Sequence, residues 1–306
     1  MTARRAESGR RGMTLIEVLL ALALLAILSV FVVQVVRSVL GLWQTGERRS
    51  QGDLAFQATL ELFRSDLSAL HLGSRGWMIL DEEIVVPGGE AEAGWTLPRL
   101  RFLAEGSAPD DGSDNPDAPV EIAWFLVPSD PAHSRLSRLM RLARRETPEG
   151  SLRDDRFFRR LVARGEGLLL LDGVAWTAFG SRDRLDQTES VLRVSPGRSD
   201  FPVELTLHLE RIPGSARRHA PLLDQELTPA GRSLVLRGSP PVEMPPFGLL
   251  GKEWIRLGGG YPRMRTALRA ARGTRVLAHP PGSALLLPEI VEGRFPLPAG
   301  GRRIVP

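Results

Sequence analysis

Nineteen residues, Val18 to Val36, are apolar except for Ser29 and Gln34. An uncharged run of that length predicts a membrane-crossing helix. Counted from Met13 to Val36 the segment has 24 residues, about 36 Å of helix at about 1.5 Å per residue, enough to span with some tilt. Beyond it the helical period returns. Phe56, Leu60, Phe63, Leu67 and Leu70 are spaced four, three, four and three, an apolar stripe on one face, and Glu61, Arg64 and Asp66 fall off it. Gly41, Gly46 and Gly52 lie between span and stripe, each costing up to about 1 kcal/mol relative to alanine, and predict a stretch prone to bending. Gly73 predicts the stop. Unbroken from Met13 to Leu70, the helix would measure about 87 Å.

The period then changes to two. Val203, Leu205, Leu207 and Leu209 alternate with Glu204, Thr206, His208 and Glu210, a half-buried strand. Residues 119–127 predict a second strand, and the Leu/Arg mixture of 136–145 its hairpin partner. Leu168–Leu171 and Val174–Phe179 predict one strand, or two kinked at Gly173. Trp77–Leu80 and Leu100–Leu103 are shorter candidates, with 81–86 between turns, and 106–118 and 182–189 read as loops. A long helix followed by strands that pack on it is an α+β arrangement.

Composition divides the chain further. Residues 214–306 hold thirteen prolines and thirteen glycines, a density that predicts much irregular chain. Short strands are expected at 233–236 and 284–287, and two helical turns at 265–272. The net charge of +4 hides an acidic body: residues 1–12 carry +3, residues 214–306 carry +8, and residues 13–213 carry −7. Aromatics are too sparse in the basic region for a nucleic-acid surface, so no nucleic-acid partner is expected. There are no cysteines, which excludes disulfides and thiolate metal sites. Arg4, Arg5, Arg10 and Arg11 flank the span on one side, which orients that side to the cytoplasm and exports everything beyond about residue 40.

Glu17 sits at the lip of the span, where a carboxylate is costly and usually has a use. Arg11-Gly12-Met13-Thr14-Leu15-Ile16-Glu17 followed by the apolar run resembles the class III signal of type IV pilins and type II secretion pseudopilins. The resemblance implies a leader cut after Gly12 by a prepilin peptidase, N-methylation of Met13, and an assembly role for Glu17. Phenylalanine is commoner than methionine at the first mature position, a small departure. Cleavage would place a positive amine one helical turn from Glu17, where the two are neighbours. In a bundle of such helices, the carboxylate of an incoming subunit can neutralise the amine of the next and set the axial register. The strand order also resembles the J-type minor pseudopilin. A Val-x-Ile-x-Trp strand is followed by a Leu/Arg strand, then Leu171, Gly173, Val174 and Phe179, then Phe201, Pro202, Val203, Leu205 and Leu207. The chain is longer than that family usually shows, and the excess is C-terminal.

Other chemistry is thinly represented. Asp110, Asp111, Asp114 and Asp117 crowd one loop, and calcium takes such oxygens. Both EF-hand registers fail, because Asn115 or Pro116 falls where the sixth-position glycine belongs. A solvated acidic turn is the default, so no metal is expected, with Asp110, Asp111 and Asp114 as weak calcium candidates. His71, His133, His208, His219 and His279 are scattered without ligand spacing, and no nucleophile elbow, phosphate loop or zinc-helix motif occurs.

The expected organisation is a leader at 1–12, a transmembrane helix at 13–36, its continuation at 37–72, a β-rich head at 73–213 and a partly ordered extension at 214–306. The expected protein is a non-catalytic minor pseudopilin of the type II secretion pseudopilus. It would be single-pass in the inner membrane with a periplasmic head, and would meet other minor and major pseudopilins and secreted cargo. A minor pilin of a type IV pilus or DNA-uptake apparatus is the alternative in the same class. A membrane-tethered binding protein with a basic tail is the alternative in another.

Overall fold

Alternating side chains build one large antiparallel sheet. Its strands are β1 (Met78–Val85), β2 (Trp95–Ala104), β3 (Val120–Pro128), β4 (Ser137–Arg145), β5 (Leu168–Arg182), β6 (Thr188–Glu189), β7 (Leu192–Val194) and β8 (Glu204–Arg211). The structure is a computed structural model. It describes residues 54–85, 95–105, 119–129, 136–147, 150–183, 188–198, 200–212, 220–238, 244–271 and 274–298, with Leu25, Leu28 and Gln34. Residues from Leu54 onward form one compact unit.

Helix α1 (residues 54–68) covers one face of the sheet. Phe56, Phe63, Leu67 and Leu70 of the stripe are buried there against Met78, Leu100, Ile122 and Trp124. The ring of Phe63 meets Trp124 edge-on at 4.9 Å between centroids. The helix ends at residue 68, earlier than Gly73 suggested, because Leu70 bridges to Ala104 and His71 N donates to Leu103 O. Asp66, which lies off the stripe in sequence, is fully buried. A second helix, α2 (Asp155–Ala163), covers the opposite face with Phe157, Phe158 and Leu161 against Ile79, Leu103 and Phe125. Asp154 caps it, its carboxylate accepting from Arg156 N at 2.8 Å and Phe157 N at 3.3 Å. The sequence reading missed α2, since nine residues are too few to establish a helical period. With both faces covered, β3 is buried without interruption from Val120 to Leu126.

The hairpin of 119–127 with 136–145 forms as expected, pairing Val120 with Arg145 through Pro128 with Ser137. Residues 81–85, read as lying between turns, continue β1 and pair with β2. β5 is one strand across Gly173, whose φ of +73° suits glycine. A Cβ there would lie 2.5 Å from Ile212 O.

The largest correction concerns residues 214–306, expected to be partly ordered with much irregular chain; the short strands expected at 233–236 and 284–287 form, and further strands join them. Among the described residues seven strands form there, six of them making a second sheet: β9 (Leu222–Leu223), β10 (Ser233–Arg237), β11 (Phe247–Leu250), β12 (Glu253–Gly260), β13 (Arg263–Ala271) and β14 (Leu285–Leu286). They run in the order β14-β11-β12-β13-β10-β9. Leu223 N donates to Ser283 O and Leu285 N to Pro221 O, each at 2.9 Å, so the two ends of the order join and the sheet closes into a barrel. Leu223, Leu234, Leu236, Ile255, Met264 and Leu285 fill it. Residues 265–271, expected as helix, lie in β13, where Met264 and Thr266 are buried and Arg263 and Arg265 are exposed. Gly258–Gly260 end β12. Many prolines and glycines serve the turns of a small barrel, and composition alone does not separate that from low complexity. Trp254 on the barrel's outside packs with Leu136, Ala175 and Ile212 of the head. The chain then returns as β15 (Glu289–Pro296), pairing with β8 from Glu289↔Arg211 to Pro296↔Glu204. The large sheet therefore has the order β15-β8-β5-β4-β3-β2-β1-β7, with β6 on β5.

Candidate functional site

Three polar constellations hold the head together, each where an apolar layer must admit charge. The first joins α1 to the sheet. Arg141 on β4 donates to Asp66 through Nε at 2.8 Å and Nη2 at 2.9 Å, and Trp124 Nε1 donates to the same carboxylate at 2.9 Å. All three side chains are buried. A planar guanidinium meeting a carboxylate in this forked way fixes both distance and orientation. The helix is thereby registered on β3 and β4, which apolar contact alone would not do.

The second lies under α2. Arg99 and Arg101 alternate with Leu100 and Phe102 along β2, so the arginines face α2 while their neighbours face α1. Arg99 Nε binds Asp81 Oδ1 at 2.9 Å, and Arg101 Nη2 binds Asp81 Oδ2 at 2.6 Å. Asp155 at the start of α2 lies 3.0 Å from Arg99 Nη2. Phe158 stacks beneath both guanidinium groups at 5.7 and 5.0 Å. Burial pulls Arg101 below its ordinary pKa despite Asp81. Next to it, Glu121 accepts from Ser151 Oγ and from Leu152 N, yet burial pushes its carboxyl above the usual range. An open depression of about 500 Å³ adjoins this region, lined by Arg75, Trp77, Glu146, Ser151 and Asp154 among others.

The third clasps the returning strand. His208 on β8 lies opposite Glu292 on β15, with Nδ1 2.8 Å from Glu292 and Nε2 2.9 Å from Glu210. The Glu210 bond, then that of Glu292, raises the pKa of His208 against the opposing effect of burial. The barrel has its own knot. Glu253, fully buried, accepts from Arg269 Nε and Nη2, from Leu277 N, and shares a 2.9 Å contact with His279 Nε2. Most charged groups in these clusters are paired with one another, while Arg101 Nε is buried without a hydrogen-bond partner.

The residues singled out in sequence lie elsewhere. Gly12, Met13 and Glu17 fall outside the described residues, as do Asp110, Asp111 and Asp114. Among the described residues no cluster of His, Asp or Glu could hold a metal ion, and no helix is long and apolar enough to cross a membrane. Of the apolar run, Leu25, Leu28 and Gln34 are described, all helical and exposed. The buried Asp66, Arg99 and Arg101 were missed in sequence. For the arginines a signal existed, namely charge in strict alternation with leucine and phenylalanine beside an acidic strand.

The chain matches no curated protein. Residues 8–33 match the family described as the prokaryotic N-terminal methylation motif, a stretch that contains Gly12, Met13, Glu17 and most of the apolar run. The chain thus carries a prepilin-type cleavage and methylation motif, which supports placing it with the type IV pilins and pseudopilins.

Proposed function

We propose that this chain is a minor pseudopilin, a structural subunit of a type II secretion pseudopilus that takes its place at the tip and catalyses nothing. The observation that carries the reading is the methylation motif at residues 8–33, set ahead of a head in which a helix lies on an antiparallel sheet. Further support comes from the J-like patterns, which fall on β3, β4, β5 and β8 in the expected order. In this reading a prepilin peptidase removes residues 1–12 and methylates Met13. The segment 13–36 anchors the subunit in the inner membrane with the head in the periplasm. Glu17 then pairs with the amine of a neighbouring subunit as the helix leaves the lipid, a contact strengthened by poor hydration on both sides. The head meets other minor pseudopilins or cargo.

Two substitutions test it. Gly12→Ala should leave an uncleaved precursor, and a product of normal mature length on a gel would refute the processing claim. Glu17→Ala should be processed normally but recovered with fewer partner pseudopilins. Unchanged co-purification and unchanged secretion would refute the assembly role.

A further inference from the structure

Between Pro221 and Leu287 the barrel has nine Lys and Arg against four Asp and Glu, and the placement of the arginines is more telling than their number. Arg237 on β10, Arg256 on β12, and Arg263 and Arg265 on β13 are all exposed. Among the described residues none of these four guanidinium groups has a hydrogen-bond or ion-pair partner. The buried arginines of the head, Arg99, Arg101 and Arg141, are by contrast all engaged by carboxylates.

Register gathers them on one face. Arg263 lies opposite Val235 and Gly260, and Arg265 opposite Ser233 and Gly258. Arg256 pairs with Leu268 one step further along. Residues two apart on a strand are about 7 Å apart and neighbouring strands about 4.8 Å, so the four cations lie on one outward face, strung over about 20 Å from Arg237 to Arg256. No carboxylate stands on the outward side of these three strands, since Glu253 is turned inward and buried.

Gly258–Gly260 leave bare backbone between the arginines. Gly259 takes a φ of +83°, which suits glycine, but packing does not demand the other two: a Cβ at Gly260 would meet nothing within 4 Å, and one at Gly258 would meet Ala267 Cβ at 3.6 Å and Arg265 O at 3.8 Å. Glycine weakens a strand and marks places where another molecule approaches the backbone closely. Beside this field Leu268, opposite Arg256, is 53 % exposed. Tyr261 donates its hydroxyl to Gly238 O, and Phe247, opposite Arg256 in the register, is half-buried on this face.

Unpaired forked cations, bare backbone and the protruding Leu268 match the chemistry of a charged bilayer surface. We propose that this outer face of the barrel docks on the phosphate headgroups of an anionic lipid surface. Arg237, Arg256, Arg263 and Arg265 grip phosphates, and Leu268 enters the interfacial layer. This does not depend on the secretion reading, because it uses only the barrel.

The test uses the full chain in nanodiscs of phosphatidylcholine, alone or mixed with phosphatidylglycerol. Arginine modification by phenylglyoxal is mapped by mass spectrometry. In anionic discs the four arginines should be labelled about fivefold more slowly, with Arg193 unchanged, and the protection should vanish near 1 M salt, where the Debye length is about 3 Å. Arg263→Ser with Arg265→Ser should also release Arg256 and Arg237 from protection while the amides of Leu234 and Ile255 keep their slow exchange. Equal labelling in both discs would overturn the proposal. So would duplex DNA, added to neutral discs at matched phosphate, protecting these arginines better than the lipid does.

Discussion

Removing the carboxylate of Asp66 leaves the Arg141 guanidinium buried with its forked acceptor gone, and Trp124 Nε1 without its acceptor. Breaking a buried pair from one side typically costs about 3–5 kcal/mol. Asp66→Ala should therefore destabilise the head by that order in urea unfolding, whereas exchanging the exposed Glu61, paired with Arg64 at the surface, should change it by less than about 1 kcal/mol. Equal effects would mean that the pair does not register α1. Gly173 is the second sensitive position. Alanine there meets both the strain of φ +73° and the Ile212 carbonyl at 2.5 Å, so Gly173→Ala should cost about 1–3 kcal/mol. In sequence Gly173 was readable as a kink, because glycine between two apolar runs has few other meanings. Asp66 was not. Its partners lie 58 and 75 positions away, and nothing local marks a carboxylate that will be covered.

Among the elements, β15 is held by a small number of groups. Phe295 packs edge-on against Phe63 at 4.8 Å and is the most deeply buried residue of its strand. Phe295→Ala should remove about 3–5 kcal/mol, seen as faster hydrogen exchange along β15 and β8. The His208 clasp adds a pH term. Its folded-state pKa is raised, chiefly by the bond to Glu210. Its contribution is therefore complete below the ordinary histidine value of about 6.5 and is lost as pH rises through the higher folded value. The melting temperature should fall from pH about 6 to pH about 8 in the native chain, with a shallower fall in His208→Gln. Identical slopes would remove the clasp from the account. The alternation of Val203 to Leu209 made β8 legible, and the apolar runs around Gly173 made β5 legible, yet the pairing of β8 with β5 and β15 was not, since pairing partners are chosen by the closing of the sheet.

At the scale of the molecule, the barrel is an insertion between two adjacent strands. Arg211 pairs with Glu289, so the chain leaves the sheet and returns at the same place. Replacing residues 213–288 by a short hairpin turn should leave a folded head, with far-ultraviolet circular dichroism still dominated by sheet. Ending the chain at residue 213 should be far worse, because β8 would lose its partner and expose an unpaired edge; aggregation of that truncation alone is the expected result. Both variants should still be processed at the amino terminus, where the signal is local. This difference between local and distant information marks what could be read from the residues in order. The methylation motif, the apolar run, the α1 stripe and the alternation of the head strands repeat at spacings set by one helix or one strand, so the sequence by itself determined them. The role of residues 214–298 was decided by tertiary structure alone. A barrel wall and a strand that completes the sheet are formed by backbone hydrogen bonds between distant segments, and backbone groups are the same in every residue except proline.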